Sequence, residues 1–249
     1  EAGQLLYKEC RGIFGTISQF PALVSDTGNR VVGHVAIAMT SHVVSYHFDS
    51  IIAEFSKNNP DVTYSMSVME SAVVIERVKE NRASFGICLI NDAQPEIFSS
   101  VFFNQKFALY CGMRHRLFGE SNITERDLRG EYSVAFQTEV EDGPLFQLAS
   151  LRERVRLKKP TRGVSANLPE LRRMIATGIG IGALPVHIAE RDVNAGILWQ
   201  VPPYKNLPIV PMYFIYNKRR SLNVAEDELI NLIDNTINSN SIDERSYTV

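Results

Sequence analysis

Residues 31–68 read VVGHVAIAMTSHVVSYHFDSIIAEFSKNNPDVTYSMSV, and the order of patterns in this stretch decides the fold. Val31–Met39 is an apolar, β-branched run closed by Thr40-Ser41-His42. Phe48, Ile51, Ile52 and Phe55 then fall at i, i+3, i+4 and i+7, the buried face of a helix that Asn58-Asn59-Pro60 stops. From Val62 to Val68 apolar and polar residues alternate with period two, the pattern of a strand. Ser71–Asn81 reads as a second helix and Phe85–Ile90 as a strand buried on both faces. Strand, helix, strand, helix, strand with short links predicts right-handed crossovers and a parallel sheet, so the class is α/β.

The pattern recurs further on. Val101–Cys111 is a long apolar segment able to carry the chain from one lobe to another. Thr124-Glu125-Arg126-Asp127 resembles a capping box, with Asp in place of Glu, opening a short helix. Strands are expected at Tyr132–Phe136, Thr161–Ser165, Ile179–Leu184, Ile197–Val201 and Val210–Asn217. Helices are expected at Leu145–Arg154, Leu168–Ala176, a short piece ending near Asp192, and Val224–Asn238. This predicts two α/β subdomains joined by two crossover strands, one lobe from 31–108 and 211–238, the other from 109–210. A ligand is expected between the lobes, where strand C-termini and helix N-termini face a cleft. Ahead of them, Leu6, Cys10, Ile13, Ile17 and Phe20 form a heptad-like helical stripe within residues 1–28. Residues 239–249 are polar and expected to be disordered.

Composition narrows the function. The 249 residues are 45% apolar and 22% charged, so a packed core is expected and disorder is not. With 26 Lys+Arg against 28 Asp+Glu there is no positive excess for a basic nucleic-acid face. Cys10, Cys88 and Cys111 form no CxxC, and the last two sit in apolar runs, which fits small core residues in a reducing compartment. No apolar run reaches the ~20 residues of a membrane span, and the first residues are no secretory signal. A cytoplasmic protein without membrane contact is expected.

Enzyme chemistry finds little support. The chain holds no GxSxG, GxxxxGK[ST] or HExxH, and its five histidines show no metal-ligand spacing, so neither a metal nor a cofactor is expected. Gly178-Ile-Gly-Ile-Gly182 follows a helix and enters a strand, the reverse of a dinucleotide fingerprint. Gly178 is expected as a left-handed helix C′ residue.

Polar residues gather instead at strand ends. Thr40, Ser41 and His42 stand at the first strand–helix turn, suited to a carboxylate or other polar group, or alternatively to a simple N-cap by Thr40 or Ser41. Glu70-Ser71, Gln137-Thr138 and Ser165-Ala166-Asn167 repeat the pattern. Four such turns, two from each lobe, suit a cleft that binds by hydrogen bonds and performs no covalent step.

Several strings carry a resemblance to a family. Glu1-Ala-Gly-Gln-Leu-Leu-Tyr7, Gly33-His-Val-Ala-Ile-Ala38 with Asn59-Pro-Asp-Val62, and Ala176-Thr-Gly-Ile-Gly-Ile-Gly-Ala-Leu-Pro185 resemble conserved segments of the LysR-type transcriptional regulators. The resemblance implies the two-lobed fold of type 2 periplasmic binding proteins, preceded by a linker helix at 1–28. It implies a small-molecule effector contacted by Thr40, Ser41, His42 and Ser71 in the first lobe and Gln137, Thr138 and Asn167 in the second. It also implies homodimers or homotetramers, with Arg172 and Arg173 set against Glu54 or Asp49 of a neighbour, or alternatively solvated. DNA would be read by a winged helix-turn-helix ahead of Glu1. A transporter's solute-binding protein and a dehydratase-like enzyme share this fold and stay open as alternatives.

Overall fold

The computed structural model describes residues 31–92 and 94–247, together with Gly3. The helix expected within 1–28 lies, apart from Gly3, outside the described residues. The chain divides into two compact units, Glu1–Phe102 with Met212–Arg245, and Phe103–Pro211 with Ser246–Val249. It leaves the first unit within strand β4 (Ile97–Gly112), returns within β9 (Ile209–Asn217), and crosses once more after Arg245.

In the first unit, β1 (Gly33–Met39), α1 (Tyr46–Asn58), β2 (Val62–Val68), α2 (Ser71–Lys79) and β3 (Phe85–Cys88) follow in the expected order. β1 runs parallel to β2, from Gly33 opposite Val62 to Met39 opposite Val68, and parallel to β3 on its other side. β9 pairs antiparallel with β3. All four β3 residues are buried, which explains their unbroken apolar run. Phe85 meets Phe48 of α1 edge-on and Phe214 of β9 in a tilted contact. On α6 (Val224–Ser239), Asn223 and Glu226 form a capping box. The buried Glu226 carboxylate also accepts the Ser84 hydroxyl at 2.5 Å and pairs with Arg220. Its charge is thereby compensated inside the core.

In the second unit, β4 lies between β7 (Gly182–Pro185) and β8 (Leu198–Val201), antiparallel to both. β5 (Val134–Phe136) pairs in parallel with β6 (Gly163–Ser165), while Ser133 bridges to Ile181. The helices are α3 (Phe146–Arg154), α4 (Leu168–Ala176) and α5 (Val186–Asn194). The short helix expected after Thr124 is one 3-10 turn, Glu125–Leu128. Its capping box forms, but Gly130, with φ of 77°, turns the chain away at once.

The glycine string is a packing device. Gly178 has φ of 80°; its N–H bonds to the Ile175 carbonyl and that of Ile179 to the Met174 carbonyl, a Schellman end for α4. A Cβ on Gly180 would lie 2.8 Å from the Tyr132 carbonyl oxygen, and one on Gly182 2.8 Å from Val134 and Ile175 side chains.

One expectation needs correcting. Up to Tyr247 the segment after Ser239 does not fray: Arg245 is buried and donates to the Val101 and Phe102 carbonyls, and the Tyr247 N–H bonds to the Asn104 carbonyl at 2.8 Å. Polar composition misled here, because buried main-chain acceptors on β4 supply partners no local pattern reveals. Arg172 pairs with Asp192 of α5, and Arg173 lies 3.0 Å from Glu170 one turn back on α4.

Candidate functional site

Two groups of polar residues stand at strand ends, one in each unit. In the first, β1 ends between its parallel neighbours, and the chain must leave the sheet before it can enter α1. The Thr40 N–H completes the ladder to the Ile87 carbonyl at 3.1 Å. The Ser71 hydroxyl, at the first turn of α2, accepts the Leu89 N–H at 3.2 Å. Thr40 and Ser71 thus each bond to the chain at the C-terminal end of β3. Thr40, at 4% exposure, has an Oγ1 without a hydrogen-bond partner among the described residues. Such a buried hydroxyl costs about 1–3 kcal/mol until something satisfies it.

Thr40 and Ser41 are not the N-cap of α1. Ser45 is, accepting the Phe48 N–H at 3.4 Å. Six residues, Thr40 to Ser45, separate strand from helix, and they tuck His42 into the interior. Burial lowers the His42 imidazole to about 4, so it is uncharged at neutral pH and offers hydrogen bonds without a cation.

In the second unit, Ser165 ties the predicted residues together. Its carbonyl accepts the Gln137 N–H at 3.0 Å and its hydroxyl accepts the Asn167 N–H at 3.0 Å. Asn167 is the N-cap of α4, yet its side chain makes no capping bond. The Gln137 and Asn167 residues are exposed and Thr138 is half-buried.

Sequence reasoning missed a charged pair beside this group. The Glu139 side chain is buried, its Oε1 accepting the Phe136 N–H at 2.8 Å and its Oε2 lying 3.1 Å from Arg152 Nε on α3. Burial pushes Glu139 up to about 7, against the pull of Arg152 and the Phe136 N–H. The one signal in the sequence was an acid directly after Gln137-Thr138; its partner thirteen residues on shows no periodicity.

Cys88 and Cys111 are buried thiols, and burial pushes both up to about 12, so neither offers a thiolate at neutral pH. Among the described residues, no group of three His, Cys, Asp or Glu could hold a metal ion, and no helix is long and apolar enough to cross a membrane.

A two-unit α/β architecture with hydroxyl and amide residues at its strand ends defines a ligand-binding class of domain. Residues 28–237 match the family described as the LysR substrate binding domain, and the chain belongs to that family. Its fold is the type 2 periplasmic-binding-protein-like fold. The uncharacterized HTH-type transcriptional regulator YwbI of Bacillus subtilis (strain 168) is 24% identical over 203 residues, 78% of this chain. The chain spans only 63% of that relative's length. The effector binding domain of QuiR in complex with shikimate has a TM-score of 0.66 at 14% identity, covering 81% of this chain and 95% of that one. The Synechocystis PCC6803 CcmR regulatory domain in complex with 2-PG has a TM-score of 0.65 at 18% identity, covering 82% and 98%.

Proposed function

We propose that this chain is the ligand-sensing regulatory domain of a cytoplasmic LysR-type transcriptional regulator and that it is not an enzyme. Its effector is a small oxygen-rich metabolite, contacted by Thr40, Ser41, His42 and Ser71 in the first unit and Gln137, Thr138 and Asn167 in the second. The buried, unsatisfied Thr40 hydroxyl carries the reading. Neutral His42 and the uncapped Asn167 side chain suit hydrogen bonding to hydroxyl and carbonyl groups. The ligands in the similar structures, shikimate and 2-PG, set the scale of molecule to try. The effector acts by population shift: it favours one arrangement of a homo-oligomer, and a helix-turn-helix segment ahead of this domain reads DNA.

Calorimetric titration with a panel of small hydroxy acids, shikimate included, tests this. One member is expected to bind, with Thr40→Val or Ser71→Ala weakening it about tenfold, a loss of about 1.4 kcal/mol. Binding indifferent to both substitutions places the effector elsewhere.

A further inference from the structure

A hollow of about 650 Å³ lies wholly within the second unit, bounded by α3, the loop Glu139–Glu141 and the segment Leu157–Thr161. None of the strand-end residues named above lines it. Its size falls within the ~300–1,000 Å³ of small-molecule sites. Two large apolar side chains stand open against it, Val140 at 55% and Phe146 at 49% exposure. Ala149 and Leu157 extend that apolar wall.

The polar end is Arg152. Its Nε faces Glu139, its Nη2 donates to the Glu139 carbonyl at 3.1 Å, and its buried Nη1 has no acceptor among the described residues. A guanidinium with an unmet N–H inside a low-dielectric wall calls for an acceptor, and a charged one satisfies it best. The other cations of the lining are Lys158, seated over the Tyr132 ring at 4.3 Å, and Lys159, already paired with Glu153. Lys158 and the Glu141 carboxylate, also in the lining, offset one another, which leaves Arg152 as the polar group with an unmet donor.

We propose that the second unit holds a separate small-molecule site in this hollow, taking a small organic carboxylate whose apolar body packs on Phe146, Ala149 and Leu157 and whose charge meets Arg152. The site is independent of the effector contacts assigned above.

The test is calorimetric titration of the 249-residue chain with phenylacetate and with hexanoate, phenylacetamide serving as the uncharged control. Both acids are expected to bind in the millimolar range or tighter, and the amide at least about tenfold more weakly. Ala149→Phe, which fills the hollow without touching the ion pair, is expected to raise Kd by more than about tenfold. The double change Arg152→Met with Glu139→Gln, which removes the pair without stranding a charge, gives a second route to the same loss, with circular dichroism reporting the fold. Thr40→Val and Ser71→Ala are expected to leave these acids untouched. No heat from either acid up to about 20 mM overturns the proposal. So does binding that survives Ala149→Phe, or binding lost on Thr40→Val.

Discussion

Burial moves two titrations in opposite directions, raising Glu139 from 4.5 to about 7 and lowering His42 from 6.5 to about 4. Native Glu139 keeps a proton that the unfolded chain has released, so its contribution to stability falls as pH rises from 4.5 to about 7. Native His42 refuses a proton that the unfolded chain accepts, so its contribution is complete above 6.5 and is lost as pH falls toward about 4. Each is of order 3 kcal/mol across its window, and between pH 5 and 6.5 the two slopes oppose one another. Relative to the parent chain, Glu139→Gln is expected to make stability rise with pH in that interval by about 1.4 kcal/mol per unit, and His42→Gln to make it fall by as much. Urea unfolding at three pH values measures both slopes; profiles parallel to the parent's would return the groups to their ordinary pKa values. The placement of Thr40, Ser71, Gln137 and Asn167 near strand ends was legible beforehand because strand-end turns draw small polar residues, whatever the ligand. Glu139 and Arg152 were not, since only the fold brings them within 3.1 Å.

At the scale of elements, periodicity placed α1 and α2 well, because each turns one apolar face to a core, and it placed β2 although only Val62 of its apolar residues is buried. It placed the strands of the second unit too generously: Tyr132–Phe136 shrank to Val134–Phe136 and Ile179–Leu184 became Gly182–Pro185. Apolar residues there continue past the ladder, with Tyr132 and Ile179 left exposed outside it, so composition overruns the hydrogen bonds. The start of α1 was missed by the opposite error: Ser45, three residues before Phe48, was the better cap, and Thr40 with Ser41 drew notice for their clustering. Two glycines in this unit separate backbone conformation from space. Gly178 needs its left-handed φ of 80° but has room, the nearest heavy atom to an added Cβ being 3.4 Å away. Gly178→Ala is expected to cost about 1–2 kcal/mol. Gly112 has no such φ, yet a Cβ there would lie 2.4 Å from the Ile175 carbonyl oxygen and 2.5 Å from that of Ala176 at the end of α4. Gly112→Ala therefore displaces a helix terminus and is expected to cost more, about 3 kcal/mol. Denaturant midpoints rank the two, and a reversed order would show that backbone conformation, not space, limits this unit.

For the molecule as a whole, the repeated α/β pattern led to the expectation of two subdomains, and two crossings of the chain between them were expected. The third crossing was not. Nothing in a polar sequence such as Ser-Ile-Asp-Glu-Arg-Ser-Tyr shows that its last residues have partners far back along the chain. Those partners are main-chain groups of β4: Val101 and Phe102 carbonyls for Arg245 in the first unit, and Asn104 and Lys106 for Ser246 and Tyr247 in the second. The Tyr247 ring also stacks on His187 at 4.1 Å and meets Phe103 edge-on. Deleting residues 241–249 strips these main-chain groups of their bonds and exposes part of β4. At about 1 kcal/mol for each of these five net hydrogen bonds, with 2–4 °C per kcal/mol for a chain of this size, the Tm is expected to fall by about 10–20 °C. Hydrogen exchange locates the effect: the Asn104 and Lys106 amides, which bond to the Ser246 hydroxyl and the Tyr247 carbonyl, are expected to speed up together, while the β3 amides hold their rates. Arg245→Ala removes only the first-unit bonds, so it is expected to lower the Tm by about half as much and to spare the Lys106 amide. A truncated chain with an unchanged Tm and unaltered exchange at Lys106 would mean that the tail merely lies on β4 and contributes nothing to its stability.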